Sequence, residues 1–76
     1  MKEKLLALLE DVRPDVAFEN EKLLIDGGIL DSFHIISIVQ EMNEAFDIDI
    51  NAEELEPYNF NTIEAMMELI TRLQNE

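Results

Sequence analysis

The sequence contains no cysteine, so the chain offers no disulfide bond and no thiolate that could bind a metal ion or attack a substrate. The absence of cysteine also suits a reducing compartment. The apolar runs are far shorter than a membrane-spanning helix, and the N-terminus lacks the basic and then apolar residues of a signal segment. We therefore expect a soluble, cytoplasmic protein with no membrane span.

Positive charge is scarce as well, because five Lys and Arg residues stand against 18 Asp and Glu residues, for a formal net charge of -13. This balance excludes nucleic acid and disfavours anionic membrane surfaces as partners, because both are bound through clustered basic side chains. Partner proteins with basic patches are favoured instead. Acidity alone is also typical of disordered chains, but 47% of the residues are hydrophobic and follow helical periods, which predicts a folded domain.

The chain length suffices for one small domain, and we predict that residues 1–76 form it. A first helix is predicted over residues 3–12, with Pro14 just beyond its end. One face of this helix carries the apolar residues Leu5, Leu8, Leu9 and Val12.

A second helix is predicted over residues 32–46, at the end of the stretch GGILDSF. Its apolar stripe comprises Phe33, Ile36, Val39 (or Gln40), Met42 and Phe46. We expect this stripe to pack in the core, with Ile35 and Ile38 at its partly exposed edge.

The last third of the chain contains two matches to the capping-box pattern, Asn51 with Glu54 and Asn61 with Glu64. The first match predicts a short helical piece that ends at Pro57, and the second predicts the start of the last helix. Apolar residues then recur at helical spacing, at Ile63, Met66, Met67, Ile70 and Leu73.

Two aromatic residues, Tyr58 and Phe60, lie in the segment before the last helix, and we expect both to anchor it in the core. No stretch of the sequence has the pattern of a convincing strand. The sequence therefore predicts an all-α fold, a small bundle of three longer helices plus one short helix.

Candidate catalytic side chains are few and lie together as Asp31, Ser32 and His34. These are the residue types of a serine hydrolase, but residues two apart at the start of a helix do not face each other. A bundle this small also offers no deep pocket that would exclude water. We therefore predict that the chain is not an enzyme, and we expect no special role for His34.

Oxygen-bearing side chains after the second helix resemble the start of an EF-hand calcium loop. They are Asp47, Asp49, Asn51 and Glu53. The sixth position of that loop requires glycine and is Ala52, and the twelfth requires glutamate and is Tyr58. The sequence therefore predicts no EF-hand and no specific metal site, and it leaves loose binding of divalent cations at this acidic cluster open.

The pattern leaves the role of Ser32 open. Asp31 or Ser32 could cap the second helix by accepting hydrogen bonds from first-turn N–H groups, which contributes about 1 kcal/mol. The same helix start also favours a phosphate group, because orphan N–H groups and the positive end of the helix dipole lie there. Position alone does not decide between a cap and a point of covalent attachment.

Four stretches together resemble the acyl carrier and peptidyl carrier protein superfamily. They are GILDSF with the amphipathic helix behind it, FDIDI, a short acidic helix, and NFNTIEAM. The resemblance covers nearly the whole chain and implies that Ser32 takes 4′-phosphopantetheine from coenzyme A through a phosphodiester, with Asp31 and Phe33 flanking the site. The thiol of that group would hold an acyl or aminoacyl cargo as a thioester.

The resemblance also implies the partners, which are a phosphopantetheinyl transferase, an acyl- or aminoacyl-activating ligase, and a downstream acyltransferase or synthase. We expect a monomer that docks on them through the second helix. Ile35 and Ile38 would supply apolar contact, and Glu41 and Glu44 would supply charge. The alternative is a cofactor-free acidic protein-interaction module that uses the same surface.

The branch of the superfamily is less defined. Fatty-acid carriers usually have acids at the second and fifth positions after the serine, where this chain has His34 and Ser37. The stretch GILDSF is more similar to D-alanyl carrier proteins and other stand-alone aminoacyl or peptidyl carriers. D-alanyl carriers typically have Trp and Thr-Pro before the last helix, whereas this chain has Phe60, Thr62 and Ile63. The sequence predicts a small stand-alone carrier and leaves its cargo and pathway open.

Overall fold

The computed structural model describes residues 1–76 and contains four α-helices. They are α1 (Lys2–Val12), α2 (Ser32–Phe46), α3 (Pro57–Phe60) and α4 (Ile63–Gln74). Two 3₁₀ turns lie between them, at Phe18–Asn20 and at Ala52–Glu54, and there is no strand. The predicted all-α bundle of three longer helices and one short helix is therefore confirmed. None of these helices has the length and apolar content that crossing a membrane requires.

The core lies between the three longer helices. α1 packs against both α2 and α4, and α3 packs against α4. The fully buried side chains come from all four helices and from the loop before α2, and the largest are Leu5, Leu9, Leu24, Ile38, Met42, Phe60, Ile63, Met66, Leu69 and Ile70. Burial of one such side chain contributes roughly 1.5–3 kcal/mol, so this cluster supplies most of the driving force for folding.

The buried face of α2 differs from the predicted stripe. Its buried residues are Ile38, Met42 and Phe46. Phe33 is 80% exposed and Ile36 is 54% exposed, so the prediction that they pack in the core is wrong. The apolar residues at the start of α2 form two overlapping arcs around the helix, one containing Phe33 and Ile36 and the other containing Ile38. In the fold, the arc containing Ile38 faces the core. The prediction that Ile38 docks on partners is also wrong, because its side chain is fully buried.

Helix capping in the second half of the chain also departs from the prediction. Thr62, and not Asn61, caps α4, because its Oγ1 accepts a hydrogen bond from the N–H of Ala65 at 3.0 Å. Pro57 begins α3 and does not end a helical piece. Proline suits the first position of a helix, where its missing N–H has no intrahelical partner to lose.

The two aromatic residues of α3 have opposite environments. Phe60 is 1% exposed, which confirms it as a core anchor, whereas Tyr58 is 70% exposed. The prediction for Tyr58 is wrong because α3 is a single turn, and only one side of a single turn can face the core.

Candidate functional site

Asp31 is the N-cap of α2 and pairs reciprocally with His34. The main-chain N–H of His34 donates to Asp31 Oδ1 at 3.0 Å, and the main-chain N–H of Asp31 donates to His34 Nδ1 at 3.1 Å. This arrangement is a capping box in which histidine takes the place of the usual Glu or Gln. The expectation that His34 has no special role is therefore wrong. The spacing Asp-x-x-His could have indicated this capping box, but the usual sequence pattern has Glu or Gln in place of His.

Ser32, the first residue of α2, takes no part in this cap. The residue is exposed, and its hydroxyl makes no hydrogen bond within the protein. The hydrogen bonds of the cap join only Asp31 and His34. Of the two roles that the sequence left open, capping therefore belongs to Asp31. The cap does not depend on the Ser32 hydroxyl.

The electrostatic environment of Ser32 combines one carboxylate with the positive end of a helix. The hydrogen bond from the His34 N–H outweighs the opposing effect of desolvation and holds the pKa of Asp31 below its usual value. Asp31 is therefore ionised at neutral pH. The first-turn N–H groups of the 15-residue α2 and its dipole favour an anion at Ser32, so the residues present fit a phosphate-linked group there.

Arg13, at the end of α1, holds the loop that leads to Ser32. Its Nη1 donates to the carbonyl oxygen of Ile29 at 2.8 Å. Its Nε and Nη2 each donate to the carboxylate of Asp15 at 2.9 Å. The hydrogen bond from Arg13 lowers the pKa of Asp15 to about 2, and the same bond raises the pKa of Arg13. Because Ile29 lies two residues before Asp31, this contact helps to fix the backbone that presents Ser32.

Asn61 fixes the other end of the same loop. Its Oδ1 accepts hydrogen bonds from the N–H groups of Ile25 at 2.9 Å and Asp26 at 3.0 Å. Its Nδ2 donates to Asp26 Oδ2 at 2.9 Å, and its carbonyl accepts from the N–H of Leu24 at 3.1 Å. The sequence analysis missed this role because Asn61 matched a capping pattern and its true partners lie about 35 residues away.

A groove of about 420 Å³ adjoins Ser32 between α2 and α3. Its apolar lining is formed by Ile25, Leu30, Ile35, Ile36, Leu55 and Phe60. Asp31 and Glu56 also line it. A group attached to Ser32 would therefore have an apolar surface and two carboxylates as immediate neighbours.

The fold separates the residues predicted to dock on partners. Ile38 lies in the core, and Ile35 is partly buried in the wall of the groove. Glu41 is partly buried and Glu44 is exposed, both further along α2. Nowhere in the structure are three or more His, Asp or Glu side chains placed to hold a metal ion together.

Comparison with known proteins gives one family. Residues 3–70 match the family described as "Phosphopantetheine attachment site". The D-alanyl carrier protein of Streptococcus mutans serotype c is 29% identical over 76 residues, which cover 99% of this chain and 96% of the relative. The D-alanyl carrier protein of Bacillus cereus is 37% identical over 57 residues, 72% of each chain. No solved structure matches the chain.

The family match extends from α1 well into α4 and includes Ser32 with its cap. Proteins of this family carry a covalently attached 4′-phosphopantetheine group and interact with phosphopantetheinyl transferases and ligases. They are carriers and do not catalyse reactions themselves. The chain therefore belongs to the phosphopantetheine attachment site family and is a carrier protein.

Proposed function

We propose that Ser32 is the attachment residue of this carrier and that its hydroxyl takes 4′-phosphopantetheine through a phosphodiester. The observation that carries the proposal is the free, exposed hydroxyl at the first position of α2, beside a cap formed by Asp31 and His34 alone. A phosphate at this point is stabilised by the helix N-terminus. When bound, the group supplies the thiol that this cysteine-free chain lacks.

The chain's own residues present and position the hydroxyl. The capping box keeps the first turn of α2 formed, and Arg13 and Asn61 hold the loop in front of it. Asp31, ionised and exposed, is the flanking acid that a transferase would meet next to Ser32. Residues 1–76 act as one carrier domain, since a single apolar cluster draws on all four helices.

The cargo we propose is a D-alanyl group, the cargo named in the relatives. A ligase that activates the amino acid would load the carrier, and an acyltransferase would accept the cargo from it.

Intact mass spectrometry tests the attachment residue. The protein is incubated with coenzyme A, magnesium and a broad-specificity phosphopantetheinyl transferase, together with Ser32→Ala and Ser37→Ala. Ser37 is the matched control, because it is a second exposed serine on α2. We expect one phosphopantetheinyl group on the wild type and on Ser37→Ala, and none on Ser32→Ala. Modification of Ser32→Ala, or an unmodified wild type beside a modified control carrier, would contradict the proposal.

A second mass measurement tests the cargo. The modified protein is incubated with ATP and a D-alanine-activating ligase, with D-alanine, L-alanine or acetate as substrate. We expect a gain of one alanyl group with D-alanine, removed by hydroxylamine as thioesters are. Loading by a fatty-acyl ligase but not with D-alanine would leave the carrier function intact and refute this cargo.

A further inference from the structure

His34 Nδ1 has two alternative partners on one residue, Asp31, at equal distances. The main-chain nitrogen of Asp31 and its carboxylate Oδ1 both lie 3.1 Å from Nδ1. The nitrogen is a donor and the carboxylate oxygen is an acceptor, so Nδ1 bonds the first only when it is unprotonated and the second only when it carries a proton. The protonation state of the imidazole therefore decides which partner it takes.

The neutral imidazole completes the capping box of α2. With its proton on Nε2, His34 accepts the Asp31 N–H, while its own N–H donates to Asp31 Oδ1 at 3.0 Å, so two hydrogen bonds close the first turn. Ser32 lies inside this turn. Glutamine, a usual residue at this position of the box, would accept the same bond and does not titrate.

The protonated imidazole is also accessible. Histidine is the side chain that changes its charge between about pH 5 and about pH 8. The His34 side chain is 27% exposed, so solvent can supply the proton. The charged groups around it are the carboxylates of Asp31 and Asp15 and the guanidinium of Arg13, which bonds Asp15. The carboxylate of Asp15 is near enough for the charge of His34 to act on it. The carboxylates favour the imidazolium and the guanidinium opposes it.

We propose that His34 is a pH-sensitive positioning residue of the attachment site. Neutral His34 holds the first turn of α2 in the form that presents the Ser32 hydroxyl. A proton that Nδ1 takes from solvent turns this acceptor into a donor, so the Asp31 N–H loses its partner and Nδ1 bonds the Asp31 carboxylate instead. The inference rests on the proposed modification of Ser32 and adds its regulation by pH.

Protonation of His34 weakens the presentation of Ser32 in two ways. The turn that contains Ser32 keeps only one of its two reciprocal capping bonds, so its backbone is less firmly fixed. The imidazolium also neutralises the carboxylate of Asp31, the acid that a transferase would meet beside Ser32. Both changes predict slower modification of Ser32 as the pH falls through the range in which histidine titrates.

Hydrogen exchange tests the switch itself, without any transferase. The quantity measured is the protection factor of the Asp31 amide, which corrects the exchange rate for its intrinsic dependence on pH. In the wild type we expect this factor to fall at least about threefold between about pH 7.5 and about pH 5.5, where histidine becomes protonated. His34→Gln is the matched control, because glutamine keeps the acceptor of the capping box and does not titrate. Its protection factor should stay constant.

Transferase kinetics test the consequence for modification. The ratio of kcat/KM for the wild type to kcat/KM for His34→Gln, measured at each pH with saturating coenzyme A, cancels the enzyme's own pH dependence. We expect this ratio to fall at least about threefold between about pH 7.5 and about pH 5.5. His34→Ala, which has neither an acceptor nor a titratable group, should be modified more slowly than His34→Gln by a factor that does not change with pH. Thermal melts at both pH values check that each protein retains its fold.

A ratio that stays constant between these pH values would overturn the inference, whether or not the Asp31 amide responds to pH. A protection factor that falls equally in the wild type and in His34→Gln would assign the change to another group. A wild type that no transferase modifies, beside a modified control carrier, would remove the proposed function. The protection factors, measured without the enzyme, would still show whether the cap titrates, so the two failures are distinguishable.

Discussion

Asp31 and His34 exchange hydrogen bonds across the first turn of α2, each accepting from the main-chain N–H of the other. Ser32 lies between them in sequence and contributes nothing to this exchange. Serine is one of the residues that most often cap helices, but the cap of α2 does not depend on Ser32. The proposed attachment of a group to Ser32 would therefore leave the helix cap intact.

Because Asp31 caps α2 and Ser32 does not, substitutions of these two neighbours should lower the free energy of unfolding by different amounts. Asp31→Ala removes the cap and should lower the free energy of unfolding by about 1 kcal/mol, measured by urea denaturation. Ser32→Ala removes no hydrogen bond and should change it by less than about 0.5 kcal/mol. Equal losses for the two variants would show that Ser32 also supports the helix.

Asn61 anchors the loop through side-chain bonds to two main-chain N–H groups, those of Ile25 and Asp26. Asn61→Ala leaves both donors without their acceptor, so we expect a loss of about 1–3 kcal/mol in the free energy of unfolding. Amide hydrogen exchange of Ile25 and Asp26 should also accelerate. Asn75→Ala is the control, because the side chain of Asn75 bonds only the Thr71 carbonyl at the exposed end of α4. A loss no larger than that of the control would refute the anchoring role.

The pair formed by Arg13 and Asp15 gives a pH-dependent prediction. The folded pKa of Asp15, about 2, lies below its ordinary value of 3.8. Ionised Asp15 therefore favours the folded state above about pH 4, and this contribution is lost as the pH falls toward about 2. NMR titration of the carboxyl carbons should give the low value in the wild type and a value near 3.8 in Arg13→Ala.

Arg72→Ala is the matched control for this titration, because it removes the other arginine ion pair, with Glu54, which lies away from the loop. The pKa of Asp15 should not change in this variant. A shift in both arginine variants would point to a general charge effect and not to the contact between Arg13 and Asp15.

Net charge predicts how stability responds to salt. The ion pairs involve only Asp15, Glu19 and Glu54 among the 18 acids. Repulsion among the others should make the fold weakest at low ionic strength, so sodium chloride or magnesium should raise Tm. Calorimetry in a salt series measures the effect. A Tm that stays flat or falls would show that repulsion does not limit stability.

The sequence by itself determined where the long helices lie and that Ser32 stands at the start of the second one. Apolar residues recur at helical spacing over α1, α2 and α4, and Pro14 prevents α1 from continuing, so these helices follow from local rules. Ser32 at the start of α2 follows from the same rules, because the apolar period begins just after it. These features need no knowledge of distant contacts.

Only the tertiary structure decided which side of each helix faces the core. The start of α2 offers two overlapping apolar arcs, and helical spacing is satisfied equally by an inward Ile36 or an inward Ile38. The packing of α2 against α1, which comes from a distant part of the sequence, accompanies the burial of Ile38 and leaves Phe33 and Ile36 exposed. The role of Asn61 also depends on the tertiary structure. Its side chain bonds Ile25 and Asp26 across the fold and does not cap α4, as the local spacing had predicted it would.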